Sequence, residues 1–292
     1  MEFSIIIPTF NNFKYLKFSL ESIKKNSKFN HETIIHVNGS DENTLKYLNE
    51  NNIKFTFTDT NVGLCKGVNL AARQSTKKYI VYAHDDMYFC PDWDLSFIDE
   101  INNLKTDLFY FSSIQIAPNP PLSNSIINHI YYDCGDKIEN FNEKKLLNNY
   151  KELHFHDLQG SHWAPHIISK KIWDEIGGFS EEFDPGFGSD PDLNMKLWNK
   201  GIRIFKGVNK SRVYHFGSLT TRKNNKITRN NANTTFLMKW GITINFFTKN
   251  YLKRGLKYNG ELKDPKKDLL FLISLFFIKT KYLYLRIVKL FT

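Results

Sequence analysis

The sequence predicts an α/β protein: a mostly parallel sheet flanked by helices, with a helical C-terminal extension. Short hydrophobic runs alternate with helix-period segments through the first half, and polar loops rich in Gly and Asn follow those runs. A sharp charge asymmetry sets the C-terminal extension apart.

"FSIIIPTF" is a short buried strand, and "FKYLKFSLESIKK" follows it with Phe13, Leu16, Leu20 and Ile23 at helical spacing. "ETIIHV" is a second strand ending in the turn "NGSDEN", "TLKYLNENN" a short helix and "IKFTFTD" a third strand. "GVNLAARQS" reads as helix, "YIVYAHDD" as strand, "WDLSFIDEINNL" as helix and "DLFYFSSIQI" as strand. In sheets of this kind ligands bind beyond the carboxyl ends of the strands, where "PTFNN", "VNGSDEN", "TDTNVG" and "HDDM" fall. Residues 118–158 break the pattern with Pro118, Pro120, Pro121 and many Asn and Lys, and are expected to be an insertion or loop over the site. From residue 160, "SHWAPHIISKKIWDEIGGFSEEFDPGFGSDPDLNMKLWNKG" reads as strand, helix, Gly-rich loop and second helix.

An apolar fraction of 41% with 15% aromatics over 292 residues fits a folded protein with a sizeable core. Residues 230–292 carry 12 Lys/Arg against 3 Asp/Glu, so nearly all of the net charge of +10 lies there. A nucleic-acid-binding core would carry its own basic surface, and no nucleic-acid partner is expected. Cys65, Cys90 and Cys134 are odd in number and lack CxxC spacing, which argues against a disulfide framework or zinc site and for a reducing, cytoplasmic compartment. "MEFSIIIPTF" passes straight into strand-like sequence, so no signal peptide is expected.

Two stretches carry chemistry. "YIVYAHDDMYF" runs a hydrophobic strand into His84, Asp85 and Asp86. An isolated Asp pair is commonly a turn or helix cap. With no basic partner nearby in sequence, however, two hard oxygen ligands at a sheet edge suit Mg²⁺ or Mn²⁺ bridging the phosphates of a nucleotide. In "TNVGLCKGVNLAA", Gly63 and Gly67 permit close backbone approach, and Asn69 stands in a helix whose first amides are suited to phosphate or sugar oxygens. A turn with tight packing is the alternative, and the stretch is not a P-loop.

"SIIIPTFNN", "VNGSDEN", "NVGLCKGVNLAA", "YAHDDM" and "GGFSEEFDPGFGSDPDLNMKLWNKG" together resemble, in order and spacing, the family 2 glycosyltransferases of the GT-A fold, a Rossmann-like architecture. The resemblance covers roughly residues 3 to 220 and implies a glycosyltransferase domain over 1–225 followed by a basic, hydrophobic helical extension over 226–292. It further implies transfer of a sugar from a nucleoside-diphosphate donor with inversion, UDP or dTDP first among candidates. "HDD" would take the place of the family's Asp-x-Asp motif. Asp86 is then the principal metal ligand, with His84 where an acidic residue is common and Asp85 near the ribose. Asp190 of "GFGSDPDL" would be the general base, although Asp190-Pro191 is also what a helix N-cap looks like.

His215 of "RVYHFGSLTTR" resembles the late histidine that completes the metal site. Pro8, Thr9, Asn38, Asn61, Gly63, Gly67, Asn69, His84 and Asp85 fall on the donor side, and His162, Trp163 and Asp192 on the acceptor side. His84 and Ser189 depart from the family pattern, which keeps a non-catalytic sugar- or nucleotide-binding protein as the alternative.

In the tail, Leu269 to Ile278 are apolar except Ser274, too short a run to span a bilayer before Lys279 and Lys281 intervene. An interfacial helix on an anionic membrane surface is expected, with Lys279, Arg286 and Lys289 on one side; packing back onto the domain is the alternative. Membrane attachment would place the enzyme on the inner face, acting on a glycan or lipid-linked acceptor of surface polysaccharide.

Overall fold

A computed structural model describes residues 1–120, 129–160, 163–217 and 231–291. The β-α alternation of the first half is present: β1 (Ser4–Thr9), α1 (Phe13–Asn26), β2 (Glu32–Asn38), α2 (Glu42–Glu50), β3 (Lys54–Thr58), α3 (Leu64–Ala72) and β4 (Tyr79–Tyr82). Each helix buries one stripe against the sheet, as α1 does with Tyr15, Leu16, Leu20 and Ile23. After β4 the chain turns at Asp85 and Asp86 and resumes as β5 (Met87–Phe89), so "YIVYAHDDMYF" is two strands around a tight turn. Then come α4 (Trp93–Asn103), β6 (Phe109–Ala117), β7 (His129–Tyr131), α5 (Glu143–Asn149), β8 (Leu158–Gln159) and β9 (His166–Ser169). The chain continues as α6 (Lys170–Ile176), α7 (Ser189–Asn199), β10 (Ile204–His215), α8 (Ala232–Trp240), α9 (Ile244–Asn250) and α10 (Leu269–Phe291).

The strands form one ten-stranded sheet with a path β3-β2-β1-β4-β9-β6-β10-β5. β3, β2, β1 and β4 are mutually parallel, as are β6 and β10, whereas β9 runs antiparallel to both β4 and β6. That reversal brings the start of β9 to the edge where β1, β2 and β4 end.

The principal core fills both sides of the sheet with Ile, Phe, Val and Leu from the strands and the helix stripes. Residues 118–158, expected as an insertion or loop, carry β7, α5 and β8 among their described residues. Ile130, Cys134, Leu146 and Tyr150 build a second apolar cluster there with Ile114, Ile116 and Tyr214 of the long strands. All three cysteines are free and buried.

α10 extends over 23 residues. Phe271 is buried against Phe246, with ring centroids 4.9 Å apart, and Leu275 and Ile278 also pack on the core. These positions, spaced four and three residues apart, make a single body-facing stripe. On the far side Leu269, Leu272, Ile273, Phe276, Phe277, Leu283 and Ile287 are exposed. No helix of the described residues is long and apolar enough to cross a membrane.

Candidate active site

β5 pairs antiparallel with the end of β10, setting His215 opposite Met87. This pairing folds the loop after β4 back, so that one ligand atom from each of His84, Asp86 and His215 lies within 4.8 Å of the others. Burial, and then the neighbouring His215, pushes the His84 imidazole down to about 4, leaving it neutral and able to coordinate.

Gln115, on β6 beside the end of β10, decides the tautomer of His215. Its Nε2 donates to the Ala164 carbonyl at 2.6 Å, so its Oε1 faces His215 Nδ1 at 3.2 Å and accepts that proton. The lone pair then sits on Nε2, which lies 3.2 Å from Asp86 Oδ1 and makes no hydrogen bond of acceptable geometry. A lone pair facing a carboxylate oxygen at that separation is repulsive unless a positive charge stands between or on them. A divalent cation held by His84, Asp86 and His215 satisfies all three groups, and the residues present therefore fit one.

Asp85 turns away from this trio. Its Oδ2 accepts from Thr9 Oγ1 at 2.7 Å, joining the end of β1 to the turn, and burial next to Asp86 pushes its carboxyl up. Pro8 lies beside Thr9 at the same edge.

Asp190 lies in the first turn of α7, whose N-cap is Gly188, with φ of 86°. The carboxylate is therefore not the cap, and Pro191 costs nothing where the helix amides are unpaired in any case. Asp190 lies close enough to Tyr82, Tyr110 and Cys65 to act on the ionisation of each, and burial pushes its own carboxyl up to about 7. Asp86 acts on Tyr82 as well, so Asp190 and Asp86 both bear on this one phenol.

Several residues that the sequence puts on the donor side brace the loops there. Asn38 donates to Gly63 O at 2.9 Å and accepts from Val62 N at 2.7 Å, and Asn61 Oδ1 accepts from Gly63 N at 2.9 Å. Asn69 is mid-helix, and its amide pairs with both backbone groups of Phe179 at 2.8 and 2.9 Å. A Cβ on Gly67 would come within 2.5 Å of His36 Cδ2, so this glycine serves close packing of α3 on β2. Gly63, at φ 95°, lies against the Asp184 carboxylate, whose Oδ1 accepts from Cys65 N at 2.7 Å. The first amides of α3, expected to face phosphate, are thus capped by a side chain that the sequence reading did not single out.

Asp192 is fully buried, accepting from Ser180 Oγ at 2.6 Å and Trp240 Nε1 at 2.8 Å, with Lys239 Nζ at 3.0 Å. It ties α8 to α7. Trp163 is partly buried and stands three residues before the start of β9, while His162 lies outside the described residues. Gln115 was missed, its only sequence signal being a lone amide in the strand "DLFYFSSIQI".

The model for glycosyl transferase family 2 matches residues 4–166, more than half of the chain. The chain belongs to that family. It therefore falls among the enzymes that transfer glycosyl groups, with a GT-A fold. Over 200 residues it is 27% identical to the minor teichoic acid biosynthesis protein GgaA of Bacillus subtilis (strain 168), covering 62% of this chain and 41% of that protein. It thus spans less than half the length of that relative.

Among solved structures, S. aureus TarS 1–349 superposes with a TM-score of 0.54 at 18% identity, covering 74% of this chain and 60% of that one. The same fragment in complex with UDP-GlcNAc gives 0.54 at 17%, with 75% and 61% covered. GalNAc-T7 with UDP, GalNAc and Mn²⁺ gives 0.55 at 16%, with 74% and 44% covered. At these identities the structural likeness establishes the fold.

Proposed function

We propose that this member of glycosyl transferase family 2 is an inverting, divalent-cation-dependent enzyme. It moves a sugar from a nucleoside-diphosphate donor to a hydroxyl of a glycan or lipid-linked acceptor in surface-polysaccharide synthesis of the teichoic-acid kind. The observation that carries the reading is the joint presence, around Tyr82, of a base-like Asp190 held near neutrality and a His84–Asp86–His215 trio with an unpaired imidazole nitrogen. A carboxyl titrating near the working pH is matched to proton abstraction. Asp190 takes the acceptor hydroxyl proton as that oxygen bonds to the anomeric carbon on the face opposite the diphosphate. The bond from that carbon to the diphosphate oxygen breaks, and one displacement inverts the centre. A bound cation would neutralise charge on the leaving diphosphate.

Two imidazoles and one carboxylate favour Mn²⁺ over Mg²⁺, which prefers oxygen and octahedral water. Thr9 at the end of β1, bonded to Asp85 of the turn after β4, supports donor binding there, with UDP or dTDP as the donor nucleotide; UDP occurs in complexes of fold neighbours. Trp163, with His162 beyond the described residues, is assigned to the acceptor side.

The exposed apolar side of α10 supports attachment to an anionic membrane surface on the cytoplasmic face. Lys279 and Lys281 flank its body-facing stripe, and Lys266, Lys267 and Lys289 lie near its ends.

Calorimetric titration with UDP, dTDP, GDP and CMP, each with Mn²⁺ and with chelator, tests the donor reading. Metal-dependent binding of one nucleotide, lost in Asp86→Ala, is expected; no binding to any of them by folded protein overturns it.

A further inference from the structure

Beneath the proposed base, five side-chain atoms have hydrogen-bonding capacity that no protein group among the described residues meets: Tyr110 Oη, both ring nitrogens of His166, and both amide atoms of Asn194. Their residues are 0%, 1% and 0% exposed. Such groups are normally satisfied, since each one left bare forfeits hydrogen bonds that the unfolded chain makes with water.

Their placement is specific. β9 lies between β4 and β6, and its register sets His166 opposite Tyr82 on one side and Ser112 on the other. The imidazole packs on Tyr82 and Tyr110 with ring centroids 5.1 and 4.8 Å away. Tyr82 and Tyr110 are the two phenols on which Asp190 acts. Asn194 follows Asp190 by one turn on the same side of α7. Asn194 thus shares a side of α7 with Asp190, and Asp190 bears on the two phenols against which His166 packs. Burial, with His84 adding to it, pushes the His166 imidazole down to about 3. The ring is therefore neutral, presenting one donor and one acceptor. Tyr and Asn likewise offer both, so the set is matched to water and not to an ion.

We propose that Tyr110, His166 and Asn194 are positioning residues for Asp190, enclosing hydrogen-bonded water that reaches its carboxylate and holds it aimed at the acceptor hydroxyl. The assignment rests on reading Asp190 as the base. Its physical content is a hydrogen bond to the charged carboxylate, delivered through water by side chains that never touch substrate. Removing the hydroxyl of Tyr110 breaks that chain and leaves the charged form of Asp190 less well solvated. The titratable groups on which Asp190 acts are Tyr82 from β4, Tyr110 from β6 and Cys65 from α3, all neutral near pH 7.

The test is a carboxyl-carbon NMR titration of the full chain, with the Asp190 resonance assigned by its loss in Asp190→Asn. The wild-type midpoint is expected near 7. In Tyr110→Phe and in His166→Phe it should rise by about half a unit or more, and His166→Gln, which keeps a donor and an acceptor, should restore it partly. An unmoved midpoint in both folded Phe variants overturns the proposal, even if either melts at a lower temperature. Should His166→Phe fail to fold, Tyr110→Phe, which deletes a single oxygen, decides alone. A midpoint that moves in a protein that binds no nucleotide leaves the network standing and removes the donor reading; nucleotide binding with an unmoved midpoint does the reverse.

Discussion

Gln115→Leu is the substitution that separates a metal site from an accidental meeting of two histidines and a carboxylate. Leu keeps roughly the shape of Gln but removes both amide functions, freeing the Ala164 carbonyl and leaving His215 Nδ1 without the acceptor now 3.2 Å away. His215 is 9% exposed, so its Nδ1–H finds little water, and the loss of its partner costs about 1–3 kcal/mol. The ring escapes part of that cost by rotating or by shifting its proton to Nε2, and either response spoils the ligand atom. Loss of such an orienting partner typically lowers metal affinity 10–100-fold, or about 1.4–2.8 kcal/mol. The assay is free Mn²⁺ measured by electron paramagnetic resonance during titration of the protein, with and without UDP. Gln115→Glu is the informative companion. It keeps an acceptor for Nδ1 and so keeps the metal, but its carboxylate repels the Ala164 carbonyl and loosens the loop before β9. Mn²⁺ affinity unchanged in Gln115→Leu would refute the tautomer argument, and with it the claim that His215 Nε2 is held as a ligand.

Asp190→Asn should abolish transfer while sparing nucleotide binding, and its stability carries a definite sign. A carboxyl near 7 folded and near 3.9 unfolded binds its proton more tightly when folded, so the wild type loses stability as pH rises from about 4 to about 7. The variant should therefore exceed the wild type by about 2 kcal/mol in denaturant melts near pH 8, half the full linkage value because the residue keeps some solvent contact, and by nothing near pH 3; equal curves at pH 8 would contradict the burial of the base. Asp192→Ala removes the partner of Trp240, Ser180 and Lys239 and should cost about 2–4 kcal/mol in the same melts with nucleotide affinity unchanged. Phe276→Asp with Phe277→Asp, both two-thirds exposed at 68% and 67%, should leave stability intact and abolish co-sedimentation with phosphatidylglycerol vesicles; retained sedimentation would remove the membrane assignment.

The alternation of strands and helices was legible because each element is long enough to show its period, and because Gly- and Asn-rich turns separate them. The split of "YIVYAHDDMYF" was not, since β5 is three residues long and exists through its pairing with the end of β10. The same non-local pairing is what gathers His84, Asp86 and His215, so their convergence could be expected from resemblance but not from spacing. The insertion looked like a loop because its Pro and Asn content conceals Ile130, Leu146 and Tyr150, which find their core only on other strands. The partner of Asp192 was hidden for a related reason: two residues from Asp190, it accepts from a tryptophan forty-eight positions away.

Polar residues outside the His84–Asp86–His215 trio explain how the site keeps its shape. Asn38 fastens the loop before α3 to the end of β2, Asp184 caps α3 from the segment preceding α7, and Asn69 grips the backbone of Phe179 just after α6. All of these bonds converge on α3, so the donor-side loop and the segment carrying Asp190 are braced against one helix. A displacement transfers a sugar only when the hydroxyl, the anomeric carbon and the base stand within fractions of an ångström of the productive geometry, and misplacement by an ångström costs about a hundredfold. Asp184→Asn tests whether the brace matters. The amide can still cap Cys65 N through its oxygen but carries no charge toward the α3 dipole, so a weakened cap should lower kcat far more than it lowers nucleotide affinity. An equal loss in both would place Asp184 on the donor itself and dissolve the distinction between bracing and binding.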